Sequence, residues 1–496
     1  MSQPAYTTLE HAFARRAKLN SAMGKLAWDQ RVMMPPGGAA DRGEELATLS
    51  ALAHETIAGQ EVADALHALD GANLSDVEAA NVREMRRLHA HAAAVPSDLI
   101  AAKETAVAAC EMAWRDARLS GDFQGLLPIW RPVLNCTREI AAAKQEALGV
   151  RAYEALMDTF DPGRKLDQVT ALFDDVEPFL RNALPRALEN QNRTHDPVLP
   201  ADHFSVEDQR RLARVLMEAV GYDFRYGRLD DTTHPFSVGS TGDARVTSRW
   251  DEKDFTSGLM AVLHETGHAL YTLGGHPERY WQPVGGHRGM TIHESQSLFL
   301  EVQIGRSRAF TKFWGALARE AFGGEGIGWH AENLFGWVTR VTPGFIRVDA
   351  DALTYPLHII LRSQLEQALI AGELDAGDVP DAWDEGMQDL LGIRPPDLTR
   401  GCLQDIHWYA GAFGYFPSYS LGAMAAAQLF EAAEQAMPAL HDRLAQGDVA
   451  PVIEWLRIYV HEQGCLYTPD GLLEFATGRP LDTVAFKAHI QRRYLQ

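Results

Sequence analysis

The sequence contains no apolar run that approaches the roughly 18 residues required for a membrane-spanning helix. Residues 1–20 also contain neither the apolar stretch nor the small-residue cleavage site of a secretory signal. These absences argue against a membrane protein and a secreted one. They predict a protein that works in the cytoplasm, without a membrane partner.

Cysteine is scarce, with only Cys110, Cys136, Cys402 and Cys465 in 496 residues. No two of them have CxxC spacing, and they lie far apart along the chain. This distribution excludes a disulfide framework and a structural zinc knuckle. It predicts free thiols in a reducing compartment.

Positive charge is also in deficit, because 46 Lys and Arg face 67 Asp and Glu, for a net charge of −21. Nucleic acids and anionic lipids are both bound through cationic surface. The charge balance therefore argues against either as a partner and is typical of a soluble protein. With 46% hydrophobic residues, the chain is long enough to bury a large core.

Strand-forming segments are few, and most of the chain has the composition and apolar spacing of α-helix. Residues 78–94, 97–120 and 138–148 are the clearest helical segments. The exception is 224–250, where Val and Thr are punctuated by Gly and Asp, so we expect a small hairpin or a three-stranded sheet there. Breaks are predicted at residues 35–38 and around 275–290, which are rich in Pro or Gly.

The predicted fold is therefore all-α with a small β hairpin or sheet beside a cleft. We found no linker, repeat or low-complexity tract in the sequence. The simplest organisation is one two-lobed domain over residues 1–496, with the functional region at about 224–425.

The strongest motif is HETGH at residues 264–268, which matches H-E-x-x-H. On a helix, residues i and i+4 share one face, so His264 and His268 can bind one metal ion. Glu265 would lie beside that ion, where it can take a proton from a water that the metal holds. The alternative is an accidental match on an ordinary amphipathic helix.

A catalytic zinc site needs a third protein ligand, and Glu294 in HESQS at 293–297 is the candidate. Thr291 and Glu294 could instead form a capping box at the start of a helix, which would occupy the Glu294 carboxylate. Glu301, two helical turns further on, is the second choice. Two imidazoles and one carboxylate favour Zn²⁺, with Co²⁺ or Mn²⁺ as alternatives.

Several separate blocks of sequence carry a family resemblance. They are WDQ at 28–30, MPPGG at 34–38, LATLSALAHE at 46–55, HPF at 234–236, DARVT at 243–247, HETGH at 264–268, HESQS at 293–297, IRVDAD at 346–351 and GCLQDIHW at 401–408. In these blocks and their order the sequence resembles the carboxypeptidase Taq family of metallocarboxypeptidases.

This resemblance implies a mostly helical protein with a deep groove, often a homodimer, that removes single residues from peptide C-termini with broad preference. Zinc would activate the attacking water with Glu265 as general base. The alternatives are a zinc endopeptidase or dipeptidase of the same ligand design, and a non-catalytic helical scaffold.

An exopeptidase must recognise the free carboxylate of its peptide substrate, a task that suits the guanidinium of arginine. Arg347 and Arg245 are the candidates, although each could instead form a structural ion pair with an acid near it in sequence: Asp349 or Asp351 for Arg347, and Asp243 for Arg245. His234 is a further candidate for substrate contact.

The negative charge that develops on the carbonyl oxygen needs donors besides the metal. Tyr419 is the first choice and Tyr415 the second, against the alternative that both only pack in an aromatic core. His234 and His407 are further candidates. A structural role for His407 fits the sequence equally well. A histidine that binds a metal usually donates a hydrogen bond from its other ring nitrogen. Candidates to lie beside the ligands in this way are His276, His287, His293 and the carboxylate of Asp405.

Overall fold

The computed structural model describes residues 2–194, 196–201 and 203–496. Helix dominates, as the composition predicts. The α-helices of these residues are α1 Ser2–Val32, α2 Ala39–Ala58, α3 Gln60–His67, α4 Asp76–Ala93, α5 Ser97–Ser120, α6 Phe123–Leu148, α7 Ala152–Met157, α8 Leu166–Asn192, α9 Val206–Ala219, α10 Phe255–Leu273, α11 Met290–Leu298, α12 Arg308–Phe322, α13 Ala331–Val338, α14 Tyr355–Ala371, α15 Val379–Leu391, α16 Pro417–Ala436, α17 Leu440–Leu444, α18 Ala450–Leu456, α19 Pro469–Thr477 and α20 Val484–Ile490. The strands are β1 Gly227–Asp231, β2 Ser237–Ser240 and β3 Asp243–Ser248.

The predicted helical segments are all present, but α6 starts well before residue 138. Its first turn is capped by the side chain of Asp122, which accepts a hydrogen bond from the backbone N–H of Gly125. Pro128 and Pro132 lie inside the helix, where proline normally costs about 3 kcal/mol. The buried face around Trp130 keeps this part helical despite them, so tertiary packing overrides the local signal.

The predicted sheet has three strands in the order β1-β3-β2. β3 pairs in parallel with β1 and antiparallel with β2. On β3, Ala244 and Val246 are buried, and α10 packs against both β3 and β2. The sheet therefore lies directly beside the helix that carries the HETGH motif.

The buried apolar side chains of the described residues form two clusters, and we call the parts of the chain that carry them the smaller and the larger lobe. The smaller one joins α1, α2, α3 and α4, and its members include Leu9, Phe13, Ile57, Leu66 and Met85. The larger one spans the rest of the chain. The break predicted at residues 35–38 separates α1 from α2 through a single 3₁₀ turn at Pro36–Gly38.

The helix α4 connects the smaller lobe to the segment just before α11. Glu84 forms a buried ion pair with Arg288, with atoms 2.8 and 3.1 Å apart. The side chain of Asn81 accepts from the backbone N–H of Val284 at 3.1 Å. In the part of the chain described by the structure, no helix has both the length and the apolar character to span a bilayer.

Candidate functional site

The helix α10 presents two imidazoles from adjacent turns. The side chain of Asp254 caps its first turn, and Gly274 ends it, close to the predicted stop. An apolar face that includes Leu259, Val262 and Leu263 is fully buried and fixes the rotation of the helix. With α10 held in this way, the rings of His264 and His268 lie 5.0 Å apart.

The third member of the cluster, Glu294, lies on α11 and faces both histidines. Its Oε1 is 3.7 Å from Nε2 of His264, and its Oε2 is 3.3 Å from Nε2 of His268. The three possible donor atoms lie within 4.8 Å of one another. The competing capping box is absent, because Gly289 is the N-cap and Thr291 donates to Asp161 at 2.8 Å. The Glu294 carboxylate is therefore available as a ligand.

Two glycines allow three helices to meet at Glu294. A Cβ on Gly267, inside the HETGH motif, would lie 2.4 Å from the carbonyl oxygen of Gln296 on α11. A Cβ on Gly422 of α16 would lie 2.6 Å from Cβ of Glu294. The lack of side chains at these two positions lets α10 and α16 approach α11 closely enough to bring the carboxylate to the imidazoles.

Each histidine has a partner on the ring nitrogen that faces away from Glu294. Nδ1 of His264 lies 2.9 Å from Oε2 of Glu301, and Arg306 binds the other oxygen of Glu301 at 2.7 Å. Nδ1 of His268 lies 2.6 Å from Nδ1 of His293. These contacts orient both rings with Nε2 toward the centre, as metal-ligating histidines are held in other proteins. Glu301 thus contacts the outer nitrogen of His264 and is not among the three converging donors.

The charges around the cluster favour a positive charge between the rings. Burial by itself would lower the pKa of His264, but the hydrogen bond to Glu301 and the charge of Glu294 outweigh it and raise that pKa to about 10. Burial would raise the pKa of Glu294, yet His268 and His264 hold it below its usual value. The same field would attract a divalent cation, so the donor set fits a metal ion in chemistry, orientation and charge.

The motif glutamate, Glu265, is 8% exposed and follows the first ligand directly on α10. Burial raises the pKa of its carboxyl group, and the charges of His264 and His268 partly offset that effect. A carboxylate with a raised pKa is a better proton acceptor near neutral pH.

The guanidinium of Arg347 is buried, with 6% exposure for the residue. It donates to Oδ1 of Asp405 from Nε at 3.1 Å and from Nη2 at 2.8 Å, while Nη1 lies 3.2 Å from the hydroxyl of Tyr355. Arg362 binds the other oxygen of Asp405 at 2.7 Å. The ion-pair partner is therefore Asp405 and neither of the aspartates near Arg347 in sequence.

An aromatic group packs against Arg347. The guanidinium of Arg347 lies 4.9 Å from the ring centroid of Tyr419, whose ring is 5.0 Å from that of Tyr415. Nε2 of His407 is 3.3 Å from the hydroxyl of Tyr419. Burial raises the pKa values of Tyr355, Tyr415 and Tyr419, and the charge of Glu294 contributes to each rise, as expected for phenols near that carboxylate.

Tyr355 is the member of this group that sequence reasoning missed. It starts α14, directly before Pro356 and shortly after the IRVDAD block. A tyrosine at a proline-marked helix start, close to a candidate substrate arginine, is the signal that could have identified it.

The other predicted residues lie on or beside the sheet. Arg245 on β3 forms a two-point ion pair with Asp243, at 2.9 Å for each contact, and lies over the ring of Trp28 at 4.3 Å. His234 is exposed in the connection between β1 and β2, and partial burial together with nearby arginines lowers its pKa. Arg245 thus forms the ion pair with Asp243 that was the alternative to a role in substrate binding.

Of the three histidines that were candidates to lie behind the ligands, His293 is the one that contacts His268. Its ring is 4.5 Å from that of His287, which in turn lies 4.8 Å from the ring of Tyr271. Burial lowers the pKa of His287 to about 4, so this ring stays neutral at physiological pH. His287 and Tyr271 therefore pack against His293, on the side away from Glu294.

Comparison with known proteins gives consistent matches over the whole chain. The model of the carboxypeptidase Taq (M32) metallopeptidase family matches residues 8–494. Thermostable carboxypeptidase 1 of Thermus thermophilus is 37% identical over 496 residues, which cover 97% of each chain. Among solved structures, metallocarboxypeptidase 1 of Trypanosoma cruzi has a TM-score of 0.96 at 34% identity, covering 99% of this chain and 100% of that one. An M32 carboxypeptidase from Deinococcus radiodurans has a TM-score of 0.92 at 32% identity, covering 99% of each chain.

Proposed function

This chain belongs to the carboxypeptidase Taq (M32) family of metallopeptidases, and from that membership we propose that it uses zinc to release single residues from the C-termini of peptides. Metallocarboxypeptidase activity is common to the family and to the relatives above. The observation that carries the proposal is the convergence of His264, His268 and Glu294 on one point, with Glu265 beside it.

We propose zinc as the metal because of the donor set. Two imidazole nitrogens and one carboxylate are the protein ligands of one class of catalytic zinc site, whose fourth position is left to water or substrate. When bound, zinc would polarise the scissile carbonyl and make a water molecule more acidic. His264, His268 and Glu294 would hold it. Glu301 and His293 would fix the orientation of the two imidazole rings.

In this proposal Glu265 is the general base. Its buried carboxylate takes a proton from the attacking water and then delivers it to the leaving amine. A position directly after a metal ligand on the same helix keeps the carboxylate within reach of both the water and the scissile bond.

The tyrosines supply donors for the oxyanion. Tyr419 is the first choice, with Tyr415 and Tyr355 beside it. Burial keeps all three phenols protonated, so each can donate a hydrogen bond where charge develops. Arg347 stacks on Tyr419 and helps to hold its ring in place.

We assign recognition of the substrate carboxylate to Arg347. Asp405 is shared between Arg347 and Arg362, so this buried group carries more positive than negative charge. An incoming carboxylate would balance the second cation. Arg245 is a weaker candidate because Asp243 already neutralises it and Lys25 lies 3.4 Å from the same acid. His234 stays a candidate for contact with the substrate.

Digestion of matched peptides tests the proposal. One peptide has a free C-terminus and the other has the same sequence with a C-terminal amide, and mass spectrometry follows the products with and without a chelator. A ladder of single-residue losses from the free peptide alone, abolished by the chelator and restored by zinc, is the expected result. Equal cleavage of both peptides would instead indicate the alternative, an endopeptidase of the same ligand design.

Two further proposals concern the state of the protein in the cell. Family resemblance supports a homodimer, which light scattering coupled to size-exclusion chromatography would test. The four cysteines are all free in the structure, which supports the reducing environment of the cytoplasm.

A further inference from the structure

A carboxylate without a cationic partner is buried on α14. The residue, Glu366, is 0% exposed, and no basic side chain lies within ion-pair distance of it in the described parts of the chain. Arg362, one turn earlier on the same helix, binds Asp405 instead, at 2.7 Å. Burial of an ionised carboxylate costs free energy unless hydrogen bonds compensate for it. The partners of Glu366 therefore indicate why a carboxylate occupies this position.

Three hydrogen-bond donors converge on Glu366. Its Oε2 accepts from the hydroxyl of Tyr153 on α7 at 2.7 Å and from the backbone N–H of Gly414 at 3.0 Å. Its Oε1 accepts from the indole Nε1 of Trp408 at 2.9 Å. An indole N–H and a backbone N–H can only donate, so both carboxyl oxygens must be acceptors. An ionised carboxylate meets this requirement, whereas a glutamine side chain would turn its NH₂ group toward one of the donors.

The charge state of Glu366 depends on these donors. Burial raises the pKa of its carboxyl group to about 7, although all three hydrogen bonds oppose the rise. Loss of one donor would raise this pKa further, and the protonated group would present its own O–H to a remaining donor. The carboxylate and its three donors therefore stabilise one another.

Two of the donors belong to the segment that leads into α16, residues 407–416. Trp408 directly follows His407, and Gly414 directly precedes Tyr415. The turn between them is closed by a hydrogen bond from the backbone N–H of Ala412 to the carbonyl oxygen of His407, at 2.8 Å. A single carboxylate thus holds the segment just after one candidate site residue and just before another.

Close packing leaves this segment few other positions. Gly414 has a φ of +88°, in the region that favours glycine, and a Cβ there would lie 2.7 Å from the backbone nitrogen of Met157 on α7. The carbonyl oxygen of Trp408 accepts from Nε1 of Trp130 at 3.1 Å, and the two indole rings are stacked. The place of the segment therefore depends on α7, α6 and the carboxylate of Glu366 together.

The segment contacts the first-choice oxyanion donor at two points. Nε2 of His407 lies 3.3 Å from the hydroxyl of Tyr419, and the ring of Tyr415 is 5.0 Å from the ring of Tyr419. Tyr419 in turn lies one turn before Gly422, the residue on α16 that packs against Glu294. A shift of segment 407–416 would therefore move groups that fix the phenol beside the proposed metal ligand.

We propose that Glu366 is a positioning residue of the active site, which holds His407 and Tyr415 against Tyr419 by binding the segment between them. The inference rests on the proposed function, in which Tyr419 donates to the oxyanion. Glu366 does not touch the substrate in this role. It acts through the orientation of the Tyr419 hydroxyl.

Glu366→Gln tests this role, because the amide NH₂ would oppose one donor of segment 407–416 and displace it. On an unblocked peptide we expect kcat to fall by about 10- to 100-fold, as for a catalytic group that moves by about 1 Å. KM should change by less than about threefold, because Arg347 is held by Asp405 and the lost interaction would belong to the transition state. Rates are expressed per bound metal ion, so that unfolded protein does not count.

A double-mutant cycle with Tyr419→Phe separates positioning from a general loss of stability. Once the phenol is absent, Glu366→Gln should lower kcat by less than about twofold, because the two residues act as one unit. Independent losses that multiply in the double variant would overturn the proposal. If Glu366→Gln does not fold, Trp408→Phe takes its place in the same cycle, since it removes one donor of the segment and keeps the carboxylate.

Glu154→Gln is the matched control. Glu154 is also a buried glutamate, 5% exposed, but its carboxylate binds Lys165 and the backbone N–H of Leu166 and no residue of segment 407–416. We expect this variant to unfold at a lower urea concentration and to keep the kcat and KM of the wild type. A fall in kcat as large as that of Glu366→Gln would overturn the positioning role.

An amidated peptide separates this inference from the proposed function. If amidated and free peptides are cut alike and Glu366→Gln lowers kcat only when Tyr419 is present, the positioning role stands and the carboxypeptidase assignment falls. If only the free peptide is cut and the losses in the cycle multiply, the carboxypeptidase assignment stands and the positioning role falls.

Discussion

Nδ1 of His264 lies 2.9 Å from a carboxylate oxygen of Glu301, seven residues beyond Glu294. The α-helix that carries Glu294 continues into a π-helical segment, Phe299–Gly305, and Glu301 lies within it. Arg306 contacts the other oxygen of Glu301. The charges of Arg306 and His264 keep the pKa of Glu301 at about 2 despite its burial. An ionised Glu301 would make His264 a stronger ligand of the proposed metal ion.

Replacement of Glu301 by Gln should therefore weaken metal binding by about 10- to 100-fold, since the neutral amide polarises His264 less. Competitive titration with a chromophoric chelator would measure this change. Glu320→Gln, at an exposed position on α12, is the control and should bind metal like the wild type. Unchanged affinity in Glu301→Gln would show that the contact does not tune the ligand.

Replacement of Glu265 by Gln should leave metal content intact, because Glu265 is not one of the three converging donors. The rate kcat should fall by about a hundred- to ten-thousandfold, the usual contribution of a general base. Elemental analysis and steady-state kinetics on the same sample separate the two effects. Full turnover in a metal-loaded variant would refute the role of Glu265.

Replacement of Tyr419 by Phe removes one donor to the oxyanion and should lower kcat by about 10²- to 10³-fold with a smaller change in KM. Tyr226→Phe, on an exposed ring far from the aromatic group in sequence, is the matched control. An equal loss in Tyr415→Phe alone, with Tyr419→Phe active, would reassign the donor to Tyr415.

Replacement of Gly267 by Ala should separate α10 from α11, because the new Cβ would meet the backbone of Gln296. We expect a loss of about 1–3 kcal/mol in the free energy of unfolding, typical of overpacking, together with weaker metal binding. Gly275→Ala is the control, because its Cβ would make only ordinary contacts, the nearest at 3.4 Å. Denaturant unfolding of both metal-free variants gives the comparison.

The protein should lose stability in acid, partly through His358. Burial and the neighbouring Arg362 lower the pKa of His358 from 6.5 to about 3. The unfolded chain therefore binds the proton first as pH falls, so this contribution is fully present above pH 6.5 and is lost progressively toward pH 3. The loss is about 5 kcal/mol at most.

His358→Gln should flatten this part of the pH dependence, as measured by denaturant unfolding at a series of pH values. His11→Gln, at an exposed position on α1, should retain the wild-type slope. Identical slopes in the two variants would assign the acid sensitivity to other groups.

The sequence was a good guide where chemistry imposes a local spacing. The helical repeat alone places His264 and His268 on one face, and the structure brings Glu294 to them as proposed. Partners from distant segments were not readable in the same way. That Asp405 pairs with Arg347, and that His293 supports His268, depends on how separate helices pack, and no local pattern encodes it.

The same distinction holds for the fold. A hairpin or a three-stranded sheet was predicted from composition, but no local pattern indicates that β3 is the central strand and pairs in parallel with β1. Only residues 138–148 of α6 were predicted, and the earlier part of this helix includes Pro128 and Pro132 and depends on tertiary packing. The single-domain assignment over residues 1–496 stays a prediction.

The buried pair of Glu84 and Arg288 ties the smaller lobe to the residues that lead into α11. Loss of this pair would leave the buried guanidinium of Arg288 without a carboxylate, which costs about 3–5 kcal/mol, whereas Glu84 would keep its contacts with Arg83 and Arg87. The ion pair therefore opposes separation of the smaller lobe from the segment before α11. Since α4 anchors the residues just before α11 at two points, the position of Glu294 depends on contacts made more than 200 residues earlier in the chain.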